Sequence, residues 1–561
     1  MGQSSNIYWR WGIIIAIICC ALAFFSYLHP SWEGKPLEFT PGEGKKILLV
    51  PLDGRPPCRD FVINVGKIGG YAVTVPPSQL QDFYSLPGEV PEMRRWVLEN
   101  APECHALILS VDQLLYGGLL AAREKTATAE EIAALLDFFR KLRQENPTLP
   151  IYAFGVLPRL TPQDTIDGYY EKRRLMEYSR LMGQKEAGLS VDEGKLHELA
   201  VGITPESMSA YLTHFTAATE LNRQLALLTR EGVIDKLVLG QDDGERYSIP
   251  NSEKEKLKDF IKNENLNAVT VTHGADELAL LMLAEFKLKE RGYRPKVWVE
   301  YAAEAMAERV MPYMAVSLRE NTAETLNLLG SVAAASPQEA DFALYISAVD
   351  RYQNELKSRR QSVKRLEELR KARIPTALVD LSKHYVEEET VFPLLVRSAF
   401  PVNSLIAYAG WNTASNSLGT ALAEATLFTA ARREAKTKED VLALYQANLT
   451  FLQNRFLEDS LYLKDVIDRV NRALKKAGYA NTADLDLEHN YRYANILLRQ
   501  GMAERLPSYL ASKAFRAPLE IEIPGGTAKI AVKSLRAAMS YPWPRTFEIR
   551  LESNLELVQY P

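Results

Sequence analysis

Cysteine is scarce in this sequence, with four in 561 residues, and two of them, Cys19 and Cys20, sit in an apolar run near the amino terminus. No CxxC pair or Cys/His spacing is present for zinc, and a disulfide framework is excluded. The remaining pair, Cys58 and Cys104, lies 46 residues apart, just past one predicted strand and just before another. They are expected to stay unbridged, because a disulfide prefers Cα atoms about 5.5–6 Å apart. An excess of one charge is also missing. Lys plus Arg number 67 against 71 Asp plus Glu, a net of −4, so the chain as a whole is not a general binder of nucleic acid. There is no G-x-S-x-G elbow, no P-loop and no H-E-x-x-H, which leaves serine-hydrolase, nucleotide-dependent and zinc-protease readings without support. What is there is ordinary: 47% hydrophobic and 25% charged residues, the composition of a large folded protein.

Long apolar runs are nearly absent too. The exception is Gly12 to Leu28, which carries no charge over 17 residues and is just long enough to span a bilayer core as a helix. Arg10 is the only charge in the first 30 residues. It favours an inside amino terminus and an extracytoplasmic body, with Trp9 and Trp11 suited to the interface. Ala21-Leu22-Ala23 offers a rival reading, a cleaved signal and a secreted body.

After residue 44, short β-branched runs alternate with amphipathic stretches. The runs begin at Lys46, Ala72, Ala106, Ile151, Lys236, Ala268, Lys296, Phe342, Thr376 and Leu405. Such alternation predicts βαβ units around a buried parallel sheet. Thr128 with Glu131 predicts a capping box, and Pro147 a helix stop; Thr204-Pro205 opens another helix that Gly232 closes. The expected architecture is α/β: a decorated parallel barrel-like domain over 45–416, a helical region over 417–514 and a short β-rich end over 515–561, behind a 1–44 anchor or signal and linker. The alternative is two doubly wound α/β lobes. Beyond the Pro524-Gly525-Gly526 turn, Thr546 to Leu551 alternates like a strand.

In parallel α/β folds the chemistry gathers at the carboxyl ends of the strands. Those ends are rich in acids and amides here. Candidate substrate-binding residues are Asp53, Arg55, Asp112, Tyr116, Asp276, Glu277, Trp411, Asn412 and Asn416; Arg159, Glu245, His273, Glu300, Asp350 and Asp380 also follow strands. Any one of them alone is readily a helix cap or a solvated loop acid. Asp242-Asp243 is the sharpest feature, because adjacent carboxylates on an extended chain point in different directions and raise one another's pKa. Together they suit a general acid beside an orienting carboxylate, so both are the candidate catalytic residues. Trp411 offers an apolar sugar platform, and Asn412 and Asn416 can donate to and accept from hydroxyl or acetamido groups.

Through PLDGRPPC, SVDQLLYGGLLAAR, GQDDG, HGADE and YAGWNTASNSLGTALA, the chain resembles the bacterial domain of unknown function 4127 family over nearly everything after residue 44. That resemblance implies no established reaction. GQDDG and GWNTASN are also similar to glycoside hydrolase family 84, the O-GlcNAcase type. This second resemblance implies Asp242 as polariser of a substrate acetamido group, Asp243 as general acid, and Asn412 or Asn416 as a substrate contact. The expected function is thus an exported hydrolase of N-acetylhexosamine-containing glycan, for which the cell envelope is the nearest source, working without metal or cofactor. Two alternatives stand beside it. One is a hydrolase in which Asp53, Asp112, Asp242 and Asp276 gather Mg²⁺ or Mn²⁺; the other is a non-catalytic envelope glycan-binding protein.

Overall fold

The computed structural model describes residues 35–37 and 44–560. A two-residue strand, β1 (Lys35–Pro36), precedes a parallel sheet of β2 (Lys45–Val50), β3 (Tyr71–Thr74), β4 (Ala106–Ser110), β5 (Ile151–Leu157), β6 (Lys236–Gln241) and β7 (Val269–His273), in the order 3-2-4-5-6-7. A second parallel sheet holds β8 (Lys296–Tyr301), β9 (Val332–Ala333), β10 (Phe342–Ser347), β11 (Thr376–Asp380) and β12 (Ala407–Ala409), in the order 12-11-10-8-9. All the runs singled out in the sequence are therefore strands.

Both faces of the first sheet are covered. Ile47, Leu49, Ile108, Tyr152, Phe154 and Val238 face one core, while Leu48, Val50, Leu107, Leu109, Ala153 and Leu237 face another. Burial on both sides is why these strands read as continuous apolar runs rather than alternating ones.

Two helices fill the space between the sheets. Leu278–Arg291 is buried along most of its length and packs against β4 and β5; Ala414–Glu434 is buried from Ala414 to Ala430 and packs against β10, β11 and β12. The two helices also pack on each other. Both sheets are open, with β3 and β7 at the edges of the first and β12 and β9 at those of the second. The expected barrel closure therefore does not form among the described residues, and what stands is a mixed α/β fold with parallel sheets. The helix Ala414–Glu434 also crosses the boundary expected at residue 416.

Local signals hold elsewhere. The Thr128–Glu131 capping box forms on Ala129–Glu145, and Thr204 caps Pro205–Arg230. Helices Tyr169–Glu186 and Glu193–Val201 follow β5, ahead of the helix Pro205–Arg230 that leads to β6. The chain ends in an antiparallel sheet of β13 (Leu519–Ile523), β14 (Gly526–Ser540) and β15 (Arg550–Tyr560), with β1 on its edge. The strand expected to start at Thr546 starts instead at Arg550, because residues 541–549 form a loop in which Thr546 and Glu548 are buried alongside Tyr541 and Trp543.

Cys58 and Cys104 are free, as the strand positions required. Among the described residues no helix is long and apolar enough to cross a membrane. That overturns a transmembrane or signal-anchor reading for the described chain; the apolar run at 12–28 that suggested it lies outside the described residues.

Candidate functional site

The carboxyl ends of β2, β6, β7 and β12 open on one polar cleft of about 250 Å³. From the β2 end comes Arg55, almost fully buried. Its Nε donates to both carboxylate oxygens of Asp53 at 3.0 and 2.9 Å, and its Nη2 reaches Asp53 Oδ2 and Asp276 Oδ1, each at 2.6 Å. Asp53 and Asp276 are thus held by one guanidinium. Trp543 closes over it, its ring centroid 5.4 Å from the guanidinium carbon.

The β6 end supplies the carboxylate pair. Asp242 is fully engaged: Arg123 Nε and Nη2 donate to Oδ2 at 2.8 and 2.5 Å, and the Asp243 backbone N–H donates to Oδ1 at 2.9 Å. Burial by itself would raise this carboxyl, but the Arg123 charge and these hydrogen bonds bring it below the usual carboxylate range. Asp243 is the opposite case. Its side chain accepts no hydrogen bond, it faces the cleft, and burial together with the Asp242 charge pushes it up to about 7. One carboxylate is fixed as an anion while its neighbour holds a proton near neutrality.

From β7, Gly274 has φ +107, and a Cβ there would lie 1.7 Å from Glu277 Oε1. The glycine makes room for Glu277, which is fully buried under the cleft floor. Burial and the adjacent Asp276 charge push Glu277 up to about 8, and Asn416 Nδ2 donates to it at 2.7 Å. His273 lines the cleft, but its ring nitrogens already face Glu324 Oε2 at 2.6 Å and Lys254 Nζ at 2.9 Å.

After β12, Asn412 takes the left-handed conformation at φ 41. Its Nδ2 bridges Asn416 Oδ1 at 2.9 Å and Asp276 Oδ2 at 3.5 Å, and Tyr385 Oη donates to its carbonyl at 2.8 Å. Thr413, rather than Asn416, caps the following helix, which leaves Asn416 free to reach Glu277. The rim includes Tyr313, Arg545 and Phe547.

The structure brings Arg55, Asp242, Asp243, Asp276, Asn412 and Asn416 to one cleft, with Asp53 and Glu277 directly behind it. Three expectations need correction. Trp411 is core: it is 3% exposed, donates from Nε1 to Thr420 Oγ1, and meets Phe61 edge-on at 5.6 Å, so it offers no sugar platform. Asp112 and Tyr116 line a separate small cavity, walled off by Arg123 and Asp242; Asp112 accepts from the Val156 N–H at 2.9 Å, and burial pushes it up to about 7.

The third correction concerns the four-aspartate cation site. Asp53 and Asp276 with Cys58 lie close enough to share an ion, but the Arg55 guanidinium already bonds both carboxylates, Arg123 takes Asp242, and Asp112 is elsewhere. These residues do not fit a divalent cation. Asp350, His384 and Glu389 also lie close together, and each is engaged: Lys383 Nζ holds Asp350 at 3.0 Å, and His384 bonds Glu389.

Arg123, Tyr313, Arg545 and Phe547 escape the sequence reading. For Arg123 a signal existed: Gly117 and Gly118, at φ 82 and 128, turn the chain so that the short helix Leu119–Glu124 lies along the strand ends.

Comparison with known proteins gives a family. The family model described as "Protein of unknown function (DUF4127)" matches residues 47–552, and the chain belongs to that family. No curated protein matches the chain. Among solved structures, a cobalamin-dependent S-adenosylmethionine radical enzyme, OxsB with aqua-cobalamin bound, aligns at 12% identity over 82% of this chain and 67% of its own, with a TM-score of 0.16. The likeness to glycoside hydrolase family 84 finds no support in these matches.

Proposed function

We propose that this member of the DUF4127 family is a glycoside hydrolase in which Asp243 is the proton donor. The observation that carries the reading is the split between two adjacent carboxylates: Asp242 locked as an anion by Arg123, and Asp243 unengaged, facing the cleft and protonated up to about pH 7. Carboxyl groups driven apart by their surroundings are how one site keeps an acid at neutral pH. The cleft suits a polar ring, with amides and hydroxyls from Asn412, Thr413 and Asn416 and aromatic faces from Tyr313 and Phe547.

The substrate class is N-acetylhexosamine-containing glycan of the cell envelope, outside the cytoplasm. Asp243 gives its proton to the glycosidic oxygen as the C1–O bond breaks, and the substrate's own acetamido oxygen attacks C1 to form a cyclic oxazolinium. Water then opens that ring, returning its proton to Asp243. Polarising the acetamide falls to Asp276, which Arg55 orients through Oδ1. Both Asp242 oxygens are held at 2.9 Å or closer, whereas Asp276 Oδ2 meets only the long contacts of Arg55 Nη1 at 3.4 Å and Asn412 Nδ2 at 3.5 Å.

Turnover of chromogenic N-acetylhexosaminides and of peptidoglycan fragments by the full chain tests this. Asp243→Asn should cost roughly 10²- to 10⁴-fold in kcat on a natural glycan, whose leaving group needs a proton, and far less on a nitrophenyl glycoside. Equal losses on both would remove Asp243 as the acid. Binding of glycan with no turnover by the wild type would make the cleft a receptor instead.

A further inference from the structure

A cavity of about 550 Å³ lies away from the proposed active site, against the amino-terminal half of the helix Leu356–Lys371. That helix carries seven Lys and Arg residues against Glu367 and Glu368. Its two ends treat their cations differently. From Arg365 onward every one is paired: Arg365 with Glu300 and Glu368, and Arg370 and Lys371 with Glu367. Before it, Lys357, Arg360 and Lys364 are exposed and have no acidic partner among the described residues; Lys357 and Arg360 line the cavity, and Lys364 lies one turn beyond them. Arg397 faces the same cleft from the next helix, its Nε spent on the Pro393 carbonyl.

The position is electrostatically unfavourable for the protein alone. The first turn holds no acid, whereas the helix dipole favours acids there and cations at the other end. Arg359 deepens the oddity. It is buried, donates to the Thr390 and Glu387 carbonyls at 2.7 and 3.1 Å, and burial lowers its pKa. Of the two acids on the rim, Glu387 already pairs with Arg505, leaving Glu388 alone against four cations.

We propose that this cleft binds a linear phosphate-rich polyanion. Lys357, Arg360 and Lys364 recur at three and four residues, which spaces their charges at roughly 4.5 and 6 Å along the helix axis, a row of about 10 Å. A chain of closely repeated phosphates presents anions at comparable intervals, and arginine matches phosphate geometry well. The lining has no aromatic side chain on which a base could stack, so the fit is to the phosphate chain itself.

The test is binding of inorganic polyphosphate to the full-length protein across a salt series, with wild type against K357Q/R360Q/K364Q. The wild type should bind, and the triple variant should bind at least about tenfold more weakly, with a slope of log affinity against log salt smaller by roughly two. The three residues are exposed, so melting temperature and hexosaminide turnover should stay at wild-type values. No binding by the wild type, or equal binding by the triple variant, overturns the proposal. So does binding to vesicles of anionic phospholipid that polyphosphate fails to compete away. None of these outcomes depends on whether the polar cleft hydrolyses glycans.

Discussion

The two parallel sheets carry the same signature, an acidic residue at or near the carboxyl end of the strand, and put it to different uses. In the second sheet each such acid is fully occupied in holding the fold. Glu300 is clamped by Arg365, Asp350 by Lys383, and Asp380 accepts the backbone N–H groups of Val391 and Phe392. In the first sheet Arg55 and Arg123 neutralise Asp53, Asp276 and Asp242, the buried Asp112 and Glu277 accept from the Val156 N–H and the Asn416 amide, and Asp243 faces the cleft with no hydrogen bond to its side chain. An acid at a strand end becomes a candidate for chemistry when its neighbours have used up the available cations. Counting partners separates the sheets where residue type does not.

The contrast can be broken most forcefully at Arg55. Arg55→Ala leaves Asp53 and Asp276 buried without a counter-charge, and should lower unfolding free energy by roughly 3–5 kcal/mol in a denaturant titration. A loss under about 1 kcal/mol would mean that the first-sheet ion cluster is no more structural than a surface pair.

Next in size is Arg123→Ala. Without the guanidinium, Asp242 and Asp243 must share a proton, and the pair should hold it to higher pH. The wild type's hexosaminide activity should fall as pH rises through about 7, where Asp243 loses its proton, and in the variant that fall should move to higher pH. An unmoved profile would show that Arg123 does not set the split.

Glu277 sharpens the comparison through stability. Its folded pKa, about 8, lies above the usual carboxylate value. Its contribution is therefore complete below about pH 4 and is lost as pH rises through about 8, at up to about 1.4 kcal/mol per pH unit. Glu277→Gln should flatten the decline in melting temperature between pH 5 and 8 of about that origin; an unchanged slope would place the decline elsewhere. The smallest effect belongs to the second sheet: Arg365→Ala, breaking a partly exposed pair, should cost under about 1 kcal/mol and leave turnover intact.

Much of this was legible in the sequence for a physical reason. Strands buried on both faces must be apolar throughout, so the runs at Lys46, Ala106, Ile151 and Phe342 announced themselves, and chain direction put Asp53, Asp242, Asp276 and Asn412 at one end. Sheet closure was not legible, since it depends on which edges pair. A clue did exist: LALLMLAEF, in the helix after β7, is apolar on every side, as befits a helix between two layers rather than outside a barrel. Trp411 misled because its partners, Phe61 and Thr420, are visible only in three dimensions. Arg545 and Phe547 lie some 300 residues beyond the Asp pair, in a stretch whose alternation imitates a strand.

That last stretch has a temporal consequence. The loop between β14 and β15 lays Trp543 over Arg55 and sets Arg545 and Phe547 on the cleft rim, although the rest of the rim comes from residues before 417. Every acid of the site, the arginines that hold them and the amides of the β12 turn are synthesised before that wall, so a chain ending at residue 540 has all of the site's carboxylates and lacks Trp543, Arg545 and Phe547.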